Sequence, residues 1–278
     1  MMAGTLYVVA TPIGNRGDMV PRALEILQNV GVIAAEDTRR SRRLLNHFGI
    51  DARLVSYHDH SDDTRSQALL GTLERGDDVA LISDAGTPLI SDPGFRLVRE
   101  CQARGYRVSP IPGPCAAVAA LSVAGLPSDR FVFEGFLPTR QARRLKLLEG
   151  LLDESRTMIF YEAPHRIVET LEDMIAVFGG DRHATLAREL TKVYETVIPA
   201  SLESLHRQVC DDANQQRGEI ALVVAGIEQA ADVGDGEKKR VLTILLEEMP
   251  PNKAAAMAAK LTGGKRNDLY RMALQLGE

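Results

Sequence analysis

The sequence predicts an α/β protein in two parts, followed by a short module made of helices alone. Three observations carry that expectation. From Gly4 to Ile111, short apolar runs alternate with segments of helical spacing. The densest Pro/Gly cluster, Pro110-Ile-Pro-Gly-Pro114, interrupts this pattern, which then resumes. Beyond Gly236 no strand pattern recurs. Strands separated by helices of about 10–15 residues imply a largely parallel sheet covered on both faces.

Each element has a local reason. Gly4 to Ala10 is an apolar run ending in Thr11-Pro12, a strand entering a turn. Pro21 to Val30 places Ala23, Leu24, Ile26 and Leu27 at helical spacing, and Val32 to Ala35 is a buried strand. Thr38 to Phe48 is a helix stopped by Gly49. Arg53 to Ser56 is a strand, Asp62 to Glu74 a helix, and Val79 to Ser83 a strand. Pro93 to Arg104 is a helix with proline in its first turn, closed by Gly105, and Val108 to Ile111 is a fifth strand. In the second part, Cys115 to Val123, Thr139 to Leu152 and Arg166 to Phe178 read as helices. Arg130 to Gly135, Thr157 to Tyr161, Ala184 to Glu189 and Glu219 to Ala225 read as strands. The expected boundaries are 1–112, 113–229 and 237–278, with a polar linker at 230–236.

A chain of 278 residues suits one large domain or two of ordinary size. Tryptophan is absent and aromatics make up 5%, so the core must be built from Ala, Val, Leu and Ile. No apolar run approaches the roughly 18 residues of a membrane span, and the first basic residue is Arg16, unlike the charged start of a secretory signal. Cys101, Cys115 and Cys210 lack CxxC spacing, which argues against a disulfide framework or zinc site and for a reducing compartment. No metal site is expected. His58 and His60 stand two apart in a loop, where capping by Asp59 or Ser61 explains the segment better.

The net charge of −5 argues against coating of nucleic acid by charge alone. It is unevenly spread. Residues 237–278 carry five Lys and three Arg against five acids, so the tail is basic and the body acidic.

The richest stretch is Leu81-Ile-Ser-Asp-Ala-Gly-Thr-Pro-Leu-Ile-Ser-Asp-Pro-Gly94. A buried strand runs into a loop with two glycines and two aspartates. Parallel sheets bind ligands beyond the carboxyl ends of their strands. The bland reading is a turn whose aspartates cap the next helix. The loop is neither a GK[ST] phosphate loop nor GxGxxG. Val9 to Asn15 is a second loop at the same sheet edge. Ala35-Glu-Asp-Thr-Arg-Arg-Ser-Arg-Arg43 is a third, where four arginines near a helix start suggest an anion-facing patch. Ile159 to Arg166 and Ala187 to Lys192 close strands of the second part with charged residues.

On these motifs, with Pro112-Gly-Pro-Cys-Ala116, the chain resembles the tetrapyrrole-methylase-fold (class III) S-adenosylmethionine-dependent methyltransferases. Within them it is similar to the ribosomal small-subunit methyltransferase I family, from Gly4 to about Leu276. Cys115 stands where the family more often has serine. The resemblance implies a donor cleft between two α/β domains, with S-adenosylmethionine folded in it. It places Pro12, Asp84, Ala85, Gly86, Ile90, Cys115, Ala116, Tyr161, Glu162, Leu190 and Ala221 around the donor. It also implies methylation of a cytidine ribose 2′-hydroxyl in the decoding centre of 16S rRNA, the small ribosomal subunit as partner, and a homodimer.

A ribose hydroxyl is a poor nucleophile, so a base should take its proton. Glu36, Asp37, Glu162 and Glu189 are the candidates, with Lys192 less favoured; they stand as alternatives. RNA should be held by basic side chains. The expected surfaces are Arg39, Arg40, Arg42 and Arg43; Arg140, Arg143, Arg144 and Lys146; and Lys265 with Arg266 in a helix, Gly-Gly turn, helix segment. The competing readings are a small-molecule (tetrapyrrole-type) methylase or a diphthine-type protein methylase of the same fold, and a non-catalytic RNA-binding module. The arginine clusters and the helical appendage favour RNA, and the intact 84–88 loop favours catalysis.

Overall fold

A computed structural model describes residues 3–58, 63–227 and 235–276. Asp59, His60 and Ser61, and all but the last two residues of the expected linker, lie outside the described residues. Two compact units result, one of Met1–Leu152 with Thr157–Ala225, the other of Asp153–Arg156 with Gly226–Glu278.

The larger unit contains two five-stranded sheets. The first is built from β1 (Thr5–Val9), β2 (Val32–Ala35), β3 (Leu54–Ser56), β4 (Val79–Ile82) and β5 (Arg107–Ile111). All pairs are parallel, in the order β3-β2-β4-β1-β5. Side chains alternate across it as a pleated strand requires. Ile33, Ala35, Ala80 and Ile82 face a core with α1 (Pro21–Asn29) and α2 (Thr38–His47). Val32, Ala34, Val79 and Leu81 face α3 (Asp63–Glu74) and α4 (Phe95–Ala103). Burial on both faces explains why these strands are continuously apolar.

The second sheet is mixed. Its strands are β6 (Phe131–Phe136), β7 (Thr157–Glu162), β8 (His183–Arg188), β9 (Thr196–Ser201) and β10 (Ile220–Val224), in the order β6-β7-β10-β8-β9. Only β6 and β7 run parallel; β10 is antiparallel to both neighbours. α5 (Ala116–Val123) packs on one face. The other face carries α6 (Gln141–Gly150), α7 (Ile167–Phe178) and α8 (Leu202–Asp211).

β9 and α8 were not foreseen from sequence. β9 is an edge strand, mostly half-buried and carrying Pro199, and it has no clean alternation. α8 is set by Ser201, whose hydroxyl caps Ser204 N–H at its first turn. The expected start of a helix at Pro93 is also corrected. α4 begins at Phe95, and its N-cap is Gly94 at φ 135° with no side-chain cap. A Cβ there would stand 2.7 Å from Leu81 Cδ2. The aspartate of this loop is therefore not spent on capping α4.

The smaller unit holds three helices, α9 (Asp235–Glu248), α10 (Pro251–Thr262) and α11 (Arg266–Leu276). Leu242, Ala254, Ala255, Ala258, Leu269 and Ala273 form its core. The α10–α11 turn is made by Gly263 in the left-handed region at φ 71°. Lys265 and Arg266 follow it on the surface, with Arg266 bonded to Asn252 Oδ1 at 2.8 Å.

Candidate active site

The first sheet's loops converge because β1, β4 and β5 are neighbours with parallel carboxyl ends. Thr11 N–H donates to Gly86 O at 2.8 Å, and Gly86 N–H returns to Thr11 O at 3.0 Å. Thr87 Oγ1 donates to Pro114 O at 2.9 Å. Across from them, β10 runs backwards, so its start at Ile220 lies beside Glu162 at the end of β7 and Arg188 at the end of β8. Asn15 N–H reaches over to Thr191 Oγ1 at 3.0 Å.

These ends enclose a cavity of about 350 Å³. Such a volume lies in the range of small-molecule sites. Its wall brings together Ala85, Gly86, Ile90, Cys115, Ala116, Tyr161, Glu162, Leu190 and Ala221, nine of the eleven positions expected around the donor. Pro12 and Asp84 stand outside the lining, which includes Ile13. Asp84 instead ties two strand ends together. It accepts Asp37 N–H at 2.9 Å and pairs with Arg40 at 3.2 Å.

Sequence reasoning missed several wall residues, among them Thr87, Ser91, Asp92, Phe136 and the 218–220 segment. Asp92 lies within the 81–94 loop, where the sequence leaves a ligand-facing role and helix capping both open. Phe136 shows itself only through Tyr161, whose ring it meets edge-on at 5.5 Å, as Phe133 does at 4.9 Å. The Tyr161 hydroxyl accepts Ala117 N–H at 2.9 Å, and burial raises its pKa.

Backbone strain gathers here too. Four non-glycine residues among those described have positive φ, namely Leu89, Ser91, Glu189 and Thr191. They sit in the two loops that flank the cavity. Such conformations cost of order 1–3 kcal/mol each and persist where the surroundings impose them.

The four candidate bases separate on structural grounds. Glu162 has a side chain with no exposed surface. Its Oε1 accepts Ala163 N–H at 2.7 Å, and its Oε2 accepts Arg166 at 3.0 Å and Thr170 at 2.6 Å. Both of its oxygens are engaged, so it is a structural anchor. Glu189 is held by Lys192 at 2.7 Å and Glu219 N–H at 2.9 Å. Burial pulls its pKa upward, but these bonds outweigh it and lower the carboxyl overall. Asp37 caps α2 through Arg39 N–H at 2.8 Å, and the Arg39 guanidinium bond lowers its pKa. Glu36 differs. Burial and then the Asp84 charge raise it, against His58 and Arg40. None of Glu36, Asp37 and Glu189 lines the cavity.

The basic surfaces separate similarly. Arg144 is corrected outright. Its side chain is 1% exposed, with Nε 2.6 Å from Asp173 and Nη2 3.6 Å from Glu169. It points into the protein because α6 turns that face onto α7. Arg140, Arg143 and Lys146 remain at the surface, without an ion pair among the described residues. Arg39 and Arg40 are exposed and pair with Asp37 and Asp84, and Arg42, partly exposed, meets Asp51 at 3.6 Å and Ala52 O at 3.1 Å. Arg43 stays at the surface. The described residues hold no group of three or more His, Cys, Asp or Glu that could bind a metal, and no helix long and apolar enough to cross a membrane.

Residues 5–206 match the family Tetrapyrrole (Corrin/Porphyrin) Methylases, and residues 232–277 match the RsmI C-terminal HTH domain. Among solved structures, diphthine synthase superposes with a TM-score of 0.59 at 16% identity, over 80% of this chain and 89% of that one. Uroporphyrin-III-C-methyltransferase from Thermus thermophilus gives 0.57 at 19%, over 80% and 94%. The two-sheet cleft is thus that of the tetrapyrrole methylase fold. Among curated proteins, Ribosomal RNA small subunit methyltransferase I of Pseudomonas aeruginosa is 56% identical, covering 99% of this chain and 98% of its own length. The protein of that name from Escherichia coli O157:H7 is 51% identical, covering 98% and 95%. The chain belongs to the ribosomal RNA small subunit methyltransferase I family, and it is a methyltransferase that requires a methyl donor.

Proposed function

We propose that the protein transfers a methyl group from S-adenosylmethionine to the 2′-hydroxyl of a cytidine ribose in the decoding centre of 16S rRNA, acting on the small ribosomal subunit. The observation that carries the donor assignment is the make-up of the cavity wall. It contains the carboxylates Asp92, Glu162 and Glu219 and no lysine or arginine. That suits a cationic sulfonium donor and disfavours a polyphosphate. The rest of the wall fits an adenosine and its chain: alanines, Leu190 and Ile220, the Phe136 and Tyr161 rings, and close backbone at Gly86. Gly86 has φ 83°, and a Cβ there would meet Ile13 Cγ2 at 3.3 Å. The donor supplies an activated methyl group and a good leaving group when bound.

The protein's share is alignment and exclusion of water. Ala85 to Thr87 bring backbone to one side of the cavity, and Tyr161, fixed by Ala117 N–H, walls another. Glu162 anchors the floor by locking the end of β7 to α7 through Thr170. RNA would be held by Arg39, Arg40, Arg42 and Arg43, by the exposed face of α6, and by Lys265 and Arg266. The reading carries with it a homodimer and a cytoplasmic site of action.

The test is labelled methyl transfer to small subunits from cells lacking this protein, followed by mapping of the modified nucleotide. Label on a cytidine 2′-oxygen is the expected result. Label on a base, or only on a tetrapyrrole or protein acceptor, overturns the reading. A second expectation concerns α6. Arg140, Arg143 and Lys146 changed together to glutamine should weaken subunit binding and lower its salt dependence, by about one unit of slope for each phosphate no longer neutralised. Donor affinity, measured by calorimetry, should stay the same.

A further inference from the structure

The transfer proposed above needs a proton acceptor for the attacking hydroxyl, and the inference drawn from this rests on that reading. A general base must reach the reacting oxygen directly or through one water. It therefore has to stand in the cavity wall. Apart from the alcohols Thr87 and Ser91, the wall offers Asp92, Cys115, Tyr161, Glu162 and Glu219.

Four of these are committed elsewhere. Both Glu162 oxygens are occupied, as described. Glu219 is 72% exposed, and its charge is met by Lys192 at 2.9 Å. The Tyr161 hydroxyl receives Ala117 N–H and stays protonated through burial. Cys115 interacts with that same hydroxyl. Asp92 remains. The Ser83 hydroxyl is near enough to Asp92 to pull its pKa down, while donating to Ala85 O at 3.3 Å and Gly86 O at 3.2 Å. The residue is half-buried, on the loop that holds Leu89 and Ser91 in the left-handed region, and that loop leaves α4 to be capped by Gly94.

We propose that Asp92 is the catalytic base of the methyl transfer. As the 2′-oxygen bonds to the methyl carbon, the carbon–sulfur bond breaks and its electron pair stays on sulfur, which becomes neutral. The hydroxyl proton passes to an Asp92 carboxylate oxygen and later to water. The surroundings suit that task. Burial lifts the Asp92 carboxyl to about 6, Glu36 and Asp84 add repulsion, and the nearby Ser83 hydroxyl opposes it. The other charged groups nearby act indirectly, Arg40 through Asp84 and His58 through Glu36. A base with a pKa just below neutral is ionised at physiological pH yet still basic enough to accept the proton.

The experiment compares wild type, Asp92→Asn and Asp92→Glu in two readouts. One is affinity for S-adenosylmethionine by calorimetry. The other is single-turnover methylation of unmodified small subunits from about pH 5 to 8. Wild-type rate should rise with pH through a midpoint of about 6 and then level. Asp92→Asn should lose about 100-fold or more in rate and far less in donor affinity, and should lose that midpoint. Asp92→Glu should recover part of the rate. An Asp92→Asn rate within about threefold of wild type overturns the assignment. So does a loss of donor affinity equal to the loss of rate, which would make Asp92 a binding group. Wild type that methylates no subunit RNA overturns the proposed function and this inference with it, whereas an active wild type matched by an active Asp92→Asn removes the inference alone.

Discussion

Arg144→Ala is expected to destabilise the larger unit by roughly 3–5 kcal/mol, because it strands Asp173 in the interior without its cation. The guanidinium is 1% exposed and the Asp173 side chain 5%. Gln141 Nε2 would still donate to Asp173 Oδ1 at 2.8 Å, but a neutral donor does not balance a buried charge. For a unit of this size the melting temperature should fall by roughly 6–20 °C. Thermal denaturation followed by circular dichroism measures it. The paired change Arg144→Met with Asp173→Leu should recover most of the loss, since an apolar pair of similar size replaces a buried ion pair at little net cost. RNA affinity per folded molecule should be unchanged. A stable Arg144→Ala protein that binds subunits poorly would return Arg144 to the surface role its neighbours suggest.

Glu162→Ala should cost roughly 2–4 kcal/mol and also impair donor binding. Removing the carboxylate leaves Arg166, 12% exposed, with a backbone acceptor at Leu137 O alone and frees the Thr170 hydroxyl. The end of β7, which carries Tyr161 into the cavity, loses its tie to α7. Glu162→Gln keeps the shape and one acceptor, so it should recover part of the stability. A base would behave in the opposite way, with stability and donor affinity intact and rate alone lost. Denaturation and calorimetry on the same preparations separate the two.

Both residues show what kind of information a sequence carries. Arg140, Arg143, Arg144 and Lys146 look alike as a run, with no acid between them. Their helical spacing puts one of the four on the inward face, and only the position of α7 supplies Asp173 to meet it. Glu162 stands at a strand end beside His165 and Arg166, which reads as a site. The partners that use its oxygens show that it anchors the site instead. Asp92 went the other way. Its loop leaves a ligand-facing role and helix capping both open, but Gly94 takes the capping role and leaves the carboxylate in the cavity wall.

The alternation of apolar runs with helical spacing was enough to determine the first sheet. Its central strands are buried on both faces, and that condition is written in consecutive residues such as Val32 to Ala35. The motifs at strand ends likewise marked most of the cavity wall, because loops after parallel strands gather at one edge. The edge strand β9, the reversed direction of β10 and the fate of each charge were decided by tertiary structure alone. Backbone pattern depends on neighbours a few residues away, whereas the state of a carboxylate or guanidinium depends on burial and on partners such as Asp173, 29 positions from Arg144.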